Sequence, residues 1–390
     1  MALRLGCVMV MKLMIVFVAL EGRGSNATYV KQPSQSSFCK RAEATRQCPN
    51  PPTVDSDFKI EKYLGKWYEI GSTAAFKLLF EPGLVCDRAL YSSADGKLSL
   101  RNSGLRVISR LAAAEVTAIN VAARGSCTAA REVCYQLPAL MELSQSLSDS
   151  SLRYRLASSV QAAGLALDRL AADVTLVQQA NGDISQANYS PGGRTLQSSV
   201  DVINRFTKDA EEQRNTIANF AAELNNIRSE ATKESEQAQK TLGSAAVKIG
   251  ASSAGIGVAL KALEVGAKSL LSNGQPVGDG SVSSVMGTIA QPSATSPAKL
   301  QVTINVAKSP YWIIALEKAK DGSYSAALVY SCQQGGKSLF VLSREPTLEM
   351  TTLDAFLSTA ESLGIYNDCE DPFILTLQRG GSCGEPPNSM

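Results

Sequence analysis

The stretch Tyr63-Leu64-Gly65-Lys66-Trp67-Tyr68-Glu69-Ile70-Gly71 decides the fold. Lys66 to Gly71 opens behind a glycine and carries one of only two tryptophans. Apolar and aromatic residues held between turn formers read as a strand. Working outward, Val85 to Tyr91 reads as another strand. Asp95-Gly96 is a hairpin signal, and Leu98, Leu100 and Asn102 alternate behind it. The pattern resumes far along the chain. Leu300, Val302 and Ile304 alternate with Gln301 and Thr303, and Tyr311 to Glu317, Ala326 to Ser331 and Leu339 to Ser343 are further strands. Asp321-Gly322 and Gly335-Gly336 mark turns between them. A helix from Thr347 to about Leu363 follows, with Leu353, Phe356, Leu357 and Ala360 on one face and Gly364 as its stop.

Residues 111–280 differ in kind. They are rich in Ala, Ser, Gln, Glu and Leu, and both tryptophans lie outside them. Pro138, Pro191 and Pro276 punctuate two long helical patterns. From 139 to about 180, Leu152, Leu156, Ala163, Leu167, Leu170, Val174 and Val177 recur at steps of three and four. Asn181-Gly182-Asp183 and Pro191-Gly192-Gly193 read as the break. From 194, a seven-residue seam runs through Leu196, Ile203, Ala210, Ile217, Leu224, Ala231 and Ala238, and after Gly243 through Ile249, Ile256, Leu263 and Leu270. Such a repeat argues for coiled-coil-like packing, with helices of about 40 to 50 residues spanning roughly 60 to 75 Å.

None of the 390 residues is histidine. Serine or cysteine nucleophiles paired with imidazole are thereby excluded, as is the usual proton shuttle near neutrality. With 38 basic and 36 acidic residues the formal charge is +2, which gives no electrostatic case for nucleic acid. Residues 1–27 read as a secretory signal: Arg4 and Lys12, an apolar run from Leu13 to Leu20, then small residues to Ala27. Residues 28–47 follow as an extension. Cys7 leaves with the signal, and eight cysteines remain, an even count that suggests disulfides in a secreted, extracellular chain. No CxxC pair is present, and no metal site or cofactor is expected. Asn26 and Asn188 head glycosylation sequons.

The residues carry a family. Gly65-Lys66-Trp67-Tyr68 resembles the GxW signature of lipocalins, and the stretch from Cys48-Pro49-Asn50-Pro51-Pro52 to Ile70 resembles their apolipoprotein D-like branch. The resemblance continues through Gly83-Leu84-Val85-Cys86 to Tyr91, breaks near Arg110, and returns at Gly287 to Ala290, Pro297 to Leu300, Pro310 to Leu316, Ala327 to Cys332 and Leu342 to Leu348. It implies an eight-stranded antiparallel barrel built from 48–110 and 281–383, with an outer C-terminal helix and a short tail, 384–390. Residues 111–280 are then a helical insertion. Gly65, Trp67 and Arg344 match the family's closed end, where arginine stacks on tryptophan. The family's ligand-facing positions match Tyr91, Leu100, Asn102, Ile304, Tyr311 and Phe340; Leu98, Leu300 and Val302 share their parity, and Arg106 stands near the mouth. Tyr68 and Trp312 alternate outward. The resemblance also implies Cys48–Cys332 and Cys86–Cys383. Cys39, Cys127, Cys134 and Cys369 are left over; Cys39 with Cys369 and Cys127 with Cys134 is one expectation, with other pairings open.

The function implied is that of a secreted lipocalin, binding and transporting a small hydrophobic ligand such as a fatty acid, sterol, retinoid or pigment. Two other classes stand beside it. An enzyme of isomerase or de-epoxidase type would need a free thiol or interior carboxylates, which the sequence does not display, so no enzyme is expected. The insertion could instead be the working part, through homo-oligomerisation or membrane contact; Ala245 to Leu260 carries one charge, Lys248, among Gly250, Gly255 and Gly257.

Overall fold

The computed structural model describes residues 48–378 apart from 57, 109, 187–195, 273–279, 334, 335, 368 and 370, together with Ser36, Phe38, Cys39 and Cys383. The signal segment, both sequons, Pro191-Gly192-Gly193, Pro276, Gly335 and the tail lie outside them.

A short helix α1 (Ile60–Tyr63) leads into β1 (Gly65–Thr73), α2 (Ala74–Phe80), β2 (Leu84–Ala94) and β3 (Lys97–Arg106). After five helices come β4 (Val282–Ala290), β5 (Lys299–Ile304), β6 (Ala307–Lys318), β7 (Tyr324–Gln333) and β8 (Gly336–Ser343). Helix α8 (Met350–Ser362) and a short β9 (Phe373–Leu375) end the fold. Each of the eight long strands pairs antiparallel with the next, and β1 pairs with both β2 and β8, closing the barrel. The β9 strand adds to the far half of β1. Gly96, Gly322 and Gly364 take positive φ at the turns and helix stop read from sequence. Helix α8 starts at Met350 rather than Thr347, just past Pro346.

Alternation sorts the strands into two faces. The inner set includes Trp67, Tyr91, Leu100, Leu300, Val302, Ile313, Val329 and Leu342. The outer set, Ile70, Ile314, Leu328, Tyr330 and Val341, packs against Leu353, Phe356 and Ala360 of α8. Trp312 packs with that outer set, and Tyr68 lies between Lys66 and Arg88, so both point outward.

Between β3 and β4 stand α3 (Arg110–Cys134), α4 (Leu137–Ser146), α5 (Ser150–Ser185), α6 (Leu196–Glu230) and α7 (Glu236–Ser272). The four long ones form an antiparallel bundle. Gly243, Gly250 and Gly257 of α7 meet Arg228, Ala221 and Arg214 of α6, each seven residues on in one helix and seven back in the other. Gly125 of α3 meets Ala259, and Gly255 meets Ala129. The seam from Leu196 to Ala238 and from Ile249 to Leu270 is buried throughout.

Two expectations fail here, and one helix goes unpredicted. The pattern from 194 is not one helix: it breaks at 231–235, so the three longest helices hold 35 to 37 residues. The sequence reading also omits helix α3, although Val116, Ile119, Ala123, Cys127, Ala130 and Cys134 recur at steps of three and four and form its buried face. Asn181-Gly182-Asp183 does not end a helix, since α5 runs through to Ser185. Tertiary contacts override the local turn signal there. Asn181 Nδ2 donates to the Val116 carbonyl at 2.8 Å, and a Cβ on Gly182 would sit 2.9 Å from Ile374.

Four disulfides form: Cys48–Cys332, Cys86–Cys383, Cys39–Cys134 and Cys127–Cys369. The first two are those the family resemblance implies. The last two correct the expected pairing of Cys39 with Cys369 and Cys127 with Cys134. Cys127 and Cys134 are seven residues apart on one continuous helix, a rise of about 10 Å, beyond the reach of an S–S bond.

Candidate functional site: the barrel interior

At the closed end, Trp67 is fully buried and its indole N–H donates to the Tyr63 carbonyl at 2.7 Å. The Arg344 guanidinium lies 3.9 Å from the Trp67 ring centroid. It donates to the carbonyls of Lys66 at 2.7 Å, Leu64 at 2.8 Å, Lys62 at 3.0 Å and Tyr63 at 3.3 Å. Gly65, at φ +101°, makes room: a Cβ there would lie 3.2 Å from Arg344 Nη1. One planar fork thus ties down the chain that enters β1, a geometry lysine cannot copy. Arg344→Lys should cost about 1–3 kcal/mol, read as a lower denaturation midpoint; a change below about 0.5 kcal/mol would leave the fork without that role.

Above this floor, Tyr91, Leu98, Leu100, Leu300, Val302, Ile304, Tyr311 and Phe340 all belong to one inward-facing set. Register places Leu100 opposite Tyr91, and Leu300 opposite Tyr311. Three tyrosine hydroxyls form a line: Tyr311 bonds Tyr63 at 3.0 Å and Tyr91 at 2.5 Å. Burial, before any neighbouring group, raises the pKa of each, so all three remain neutral hydroxyls. Asn102 stands between Ala89 and Val285. Its Oδ1 is buried and has no hydrogen-bond partner among the described residues. Arg106 is the last residue of β3; it lies outside the apolar set, and its Nη1 donates to the Pro82 carbonyl at 3.3 Å. Sequence reading passed over Ala89, Ile289, Ile313, Ala327, Val329 and Leu342, which complete the inner wall. The same alternation signal could have found them.

The mouth holds the larger surprise. Helix α2, which follows β1 at the end opposite Trp67, sends Lys77 inward with no exposed surface. Its Nζ lies 3.1 Å from Glu69 and 3.3 Å from Glu81, and bonds the Asp87 carboxylate. Glu69 stands opposite Leu342 on the inner face. Asp87 stands beside Gly104, where a Cβ would meet its Oδ1 at 1.8 Å. The expectation of an interior without carboxylates is therefore wrong. Strand alternation places Glu69 on the Trp67 face and Asp87 on the face of Ala89 and Tyr91, so that signal was legible for both. The three carboxylates lie close enough together to hold a metal ion, and the Lys77 ammonium bonds all three of them. Burial alone would lower the Lys77 pKa, but Asp87, Glu69 and Glu81 outweigh it and raise it. Burial, then the charges of Glu69 and Asp87, hold Glu81 well above the usual carboxylate range. Asp87 is raised by burial against the pull of Lys77.

The bundle meets the barrel at this same end. Thr117 Oγ1 donates to the Leu78 carbonyl at 2.7 Å and Asn120 Nδ2 to the Ala74 carbonyl at 3.2 Å, both on α2. Gln186 Nε2 donates to the Leu375 carbonyl of β9 at 2.6 Å.

A closed eight-stranded antiparallel barrel with an outer C-terminal helix, sealed at one end by an arginine on a tryptophan, is the lipocalin fold. Residues 271–370 match the family model for a lipocalin-like domain. That span takes in β4 to β8 and α8; β1 to β3 complete the same barrel from across the helical insertion. The fold is one that binds small ligands.

Proposed function

We propose that the barrel binds a small hydrophobic molecule, of the fatty acid, sterol, retinoid or pigment class, and carries it outside the cytosol in the manner of apolipoprotein D-like lipocalins. The observation that carries the reading is an apolar inner wall interrupted by a tyrosine hydroxyl line and an unsatisfied Asn102 acceptor. Binding is then driven by apolar burial and oriented by Tyr91, Asn102 and Tyr311. The eight cysteines from Cys39 onward all lie in disulfides, which supports an extracellular setting and leaves no thiolate nucleophile among them. We read the protein as a carrier without chemistry of its own.

Displacement of a fluorescent fatty acid and of retinol from delipidated protein, with native mass spectrometry beside it, tests the reading. Ile304→Arg, near the mouth, should weaken binding tenfold or more, about 1.4 kcal/mol, with the near-ultraviolet dichroism unchanged. Absence of any cavity binding in wild type would refute the proposal.

A further inference from the structure

Helix α7 has two faces of different chemistry. One, with Ile249, Ile256 and Leu263, is bundle core. The other is exposed and apolar: Val247 is 73% exposed, Val258 74% and Val265 57%. At 100° per residue these valines point within about 20° of one another, with exposed Ala251 and Ala254 between them. Lys261 and Lys268 flank this stripe on one side and Lys248 on the other, all exposed. Glu264, bonded to Lys261 and Lys268 at 2.6 Å each, leaves two positive charges in excess among the four groups. On neighbouring α3, which packs against α7 where Gly125 meets Ala259, Val121 is also 56% exposed. A stripe of exposed valines along three helical turns or more is not ordinary soluble surface.

We propose that this face docks on an anionic lipid bilayer. Helix α7 is long and apolar enough to span a membrane by length and composition, but its other face is committed to the bundle, so it lies flat on the surface. Apolar side chains then enter the headgroup boundary, and the flanking lysines reach outward to lipid phosphates. Charge complementarity selects this occupant over a second copy of the chain. Two copies joined through the same lysine-bordered face would set like charges against each other.

Vesicle flotation of the full chain tests the proposal, with Val247→Asp/Val258→Asp and Lys248→Glu/Lys261→Glu/Lys268→Glu beside wild type. The apolar run at 13–20 is common to all three proteins, so differences between them report α7 alone. Wild type is expected to float with vesicles of phosphatidylcholine and about 30% phosphatidylserine. Each variant should float at least tenfold less, and half-molar salt should weaken wild-type flotation. Unchanged near-ultraviolet dichroism shows that the exposed substitutions leave the fold intact. Equal flotation of all three proteins, or none, overturns the proposal. So does a wild-type dimer in sedimentation that the Asp variant breaks without any change in flotation, which would make the face a self-interface.

Discussion

Lys77→Met is expected to cost the folded chain about 3–5 kcal/mol, because removing one partner of a buried ion cluster strands the others. The methylenes of Lys77 are replaced at similar volume, so the loss is electrostatic. Glu69, Glu81 and Asp87 would then face one another without the Lys77 ammonium, and among the described residues the Glu69 carboxylate would keep Thr376 at 2.7 Å and Ser72 at 3.2 Å as side-chain donors. The effect carries a pH signature. Glu81 and Asp87 hold their protons to higher pH folded than unfolded, where the values lie near 4.5 and 3.8. The folded state thus binds more protons than the unfolded state, and the stability contributed by these groups falls as pH rises from about 4. Lys77 is the charge that lowers both. Without it their folded values rise further, so the deficit of the variant should be greater at pH 8 than at pH 5. Thermal melts at the two pH values check this. Equal melting temperatures for wild type and variant at pH 8 would show that the carboxylates do not need the ammonium.

The Cys127–Cys369 bridge should matter nearly as much. It joins α3 of the bundle to the segment before β9 across 242 residues. Cross-linking so long a loop is worth about 5 kcal/mol in the chain-entropy limit. Neighbouring bridges already shorten the effective loop, so Cys127→Ser/Cys369→Ser should lose about 2–4 kcal/mol. A non-reducing tryptic map provides the covalent check, since Arg131 separates Cys127 from Cys134. A peptide pair joining those two cysteines would refute the bridge assignment.

How far the sequence could be read depended on the range of the forces involved. The barrel was legible because strand alternation is local. Leu98, Leu100, Leu300, Val302 and Ile304 could be assigned to the inner face from their own neighbours. The buried seam of α6 and α7 was legible for the same reason, at period seven. Where α6 ends was not, because the five-residue turn at 231–235 keeps the repeat in phase across the corner. Lys77 was invisible for a deeper reason. Its role depends on a short helix after β1 that carries Lys77 onto carboxylates from two separate strands, Glu69 of β1 and Asp87 of β2. The leftover cysteines failed similarly: the pairing of Cys127 follows from where α3 is packed, and spacing along the chain says nothing about that.

The two ends of the helical insertion meet. Leu105 pairs directly with Val282, and Gly280 donates its N–H to the Arg106 carbonyl at 3.1 Å. Some 175 residues therefore leave β3 and return to β4 one strand spacing away. As unstructured chain, a loop of that length would penalise the β3–β4 pairing by about 3 kcal/mol relative to a tight turn, because closure entropy grows only with the logarithm of length. An antiparallel bundle of four long helices begins and ends on the same side and carries that connection itself. To the barrel, it acts as a rigid hairpin turn, and the logarithmic penalty is met within the bundle.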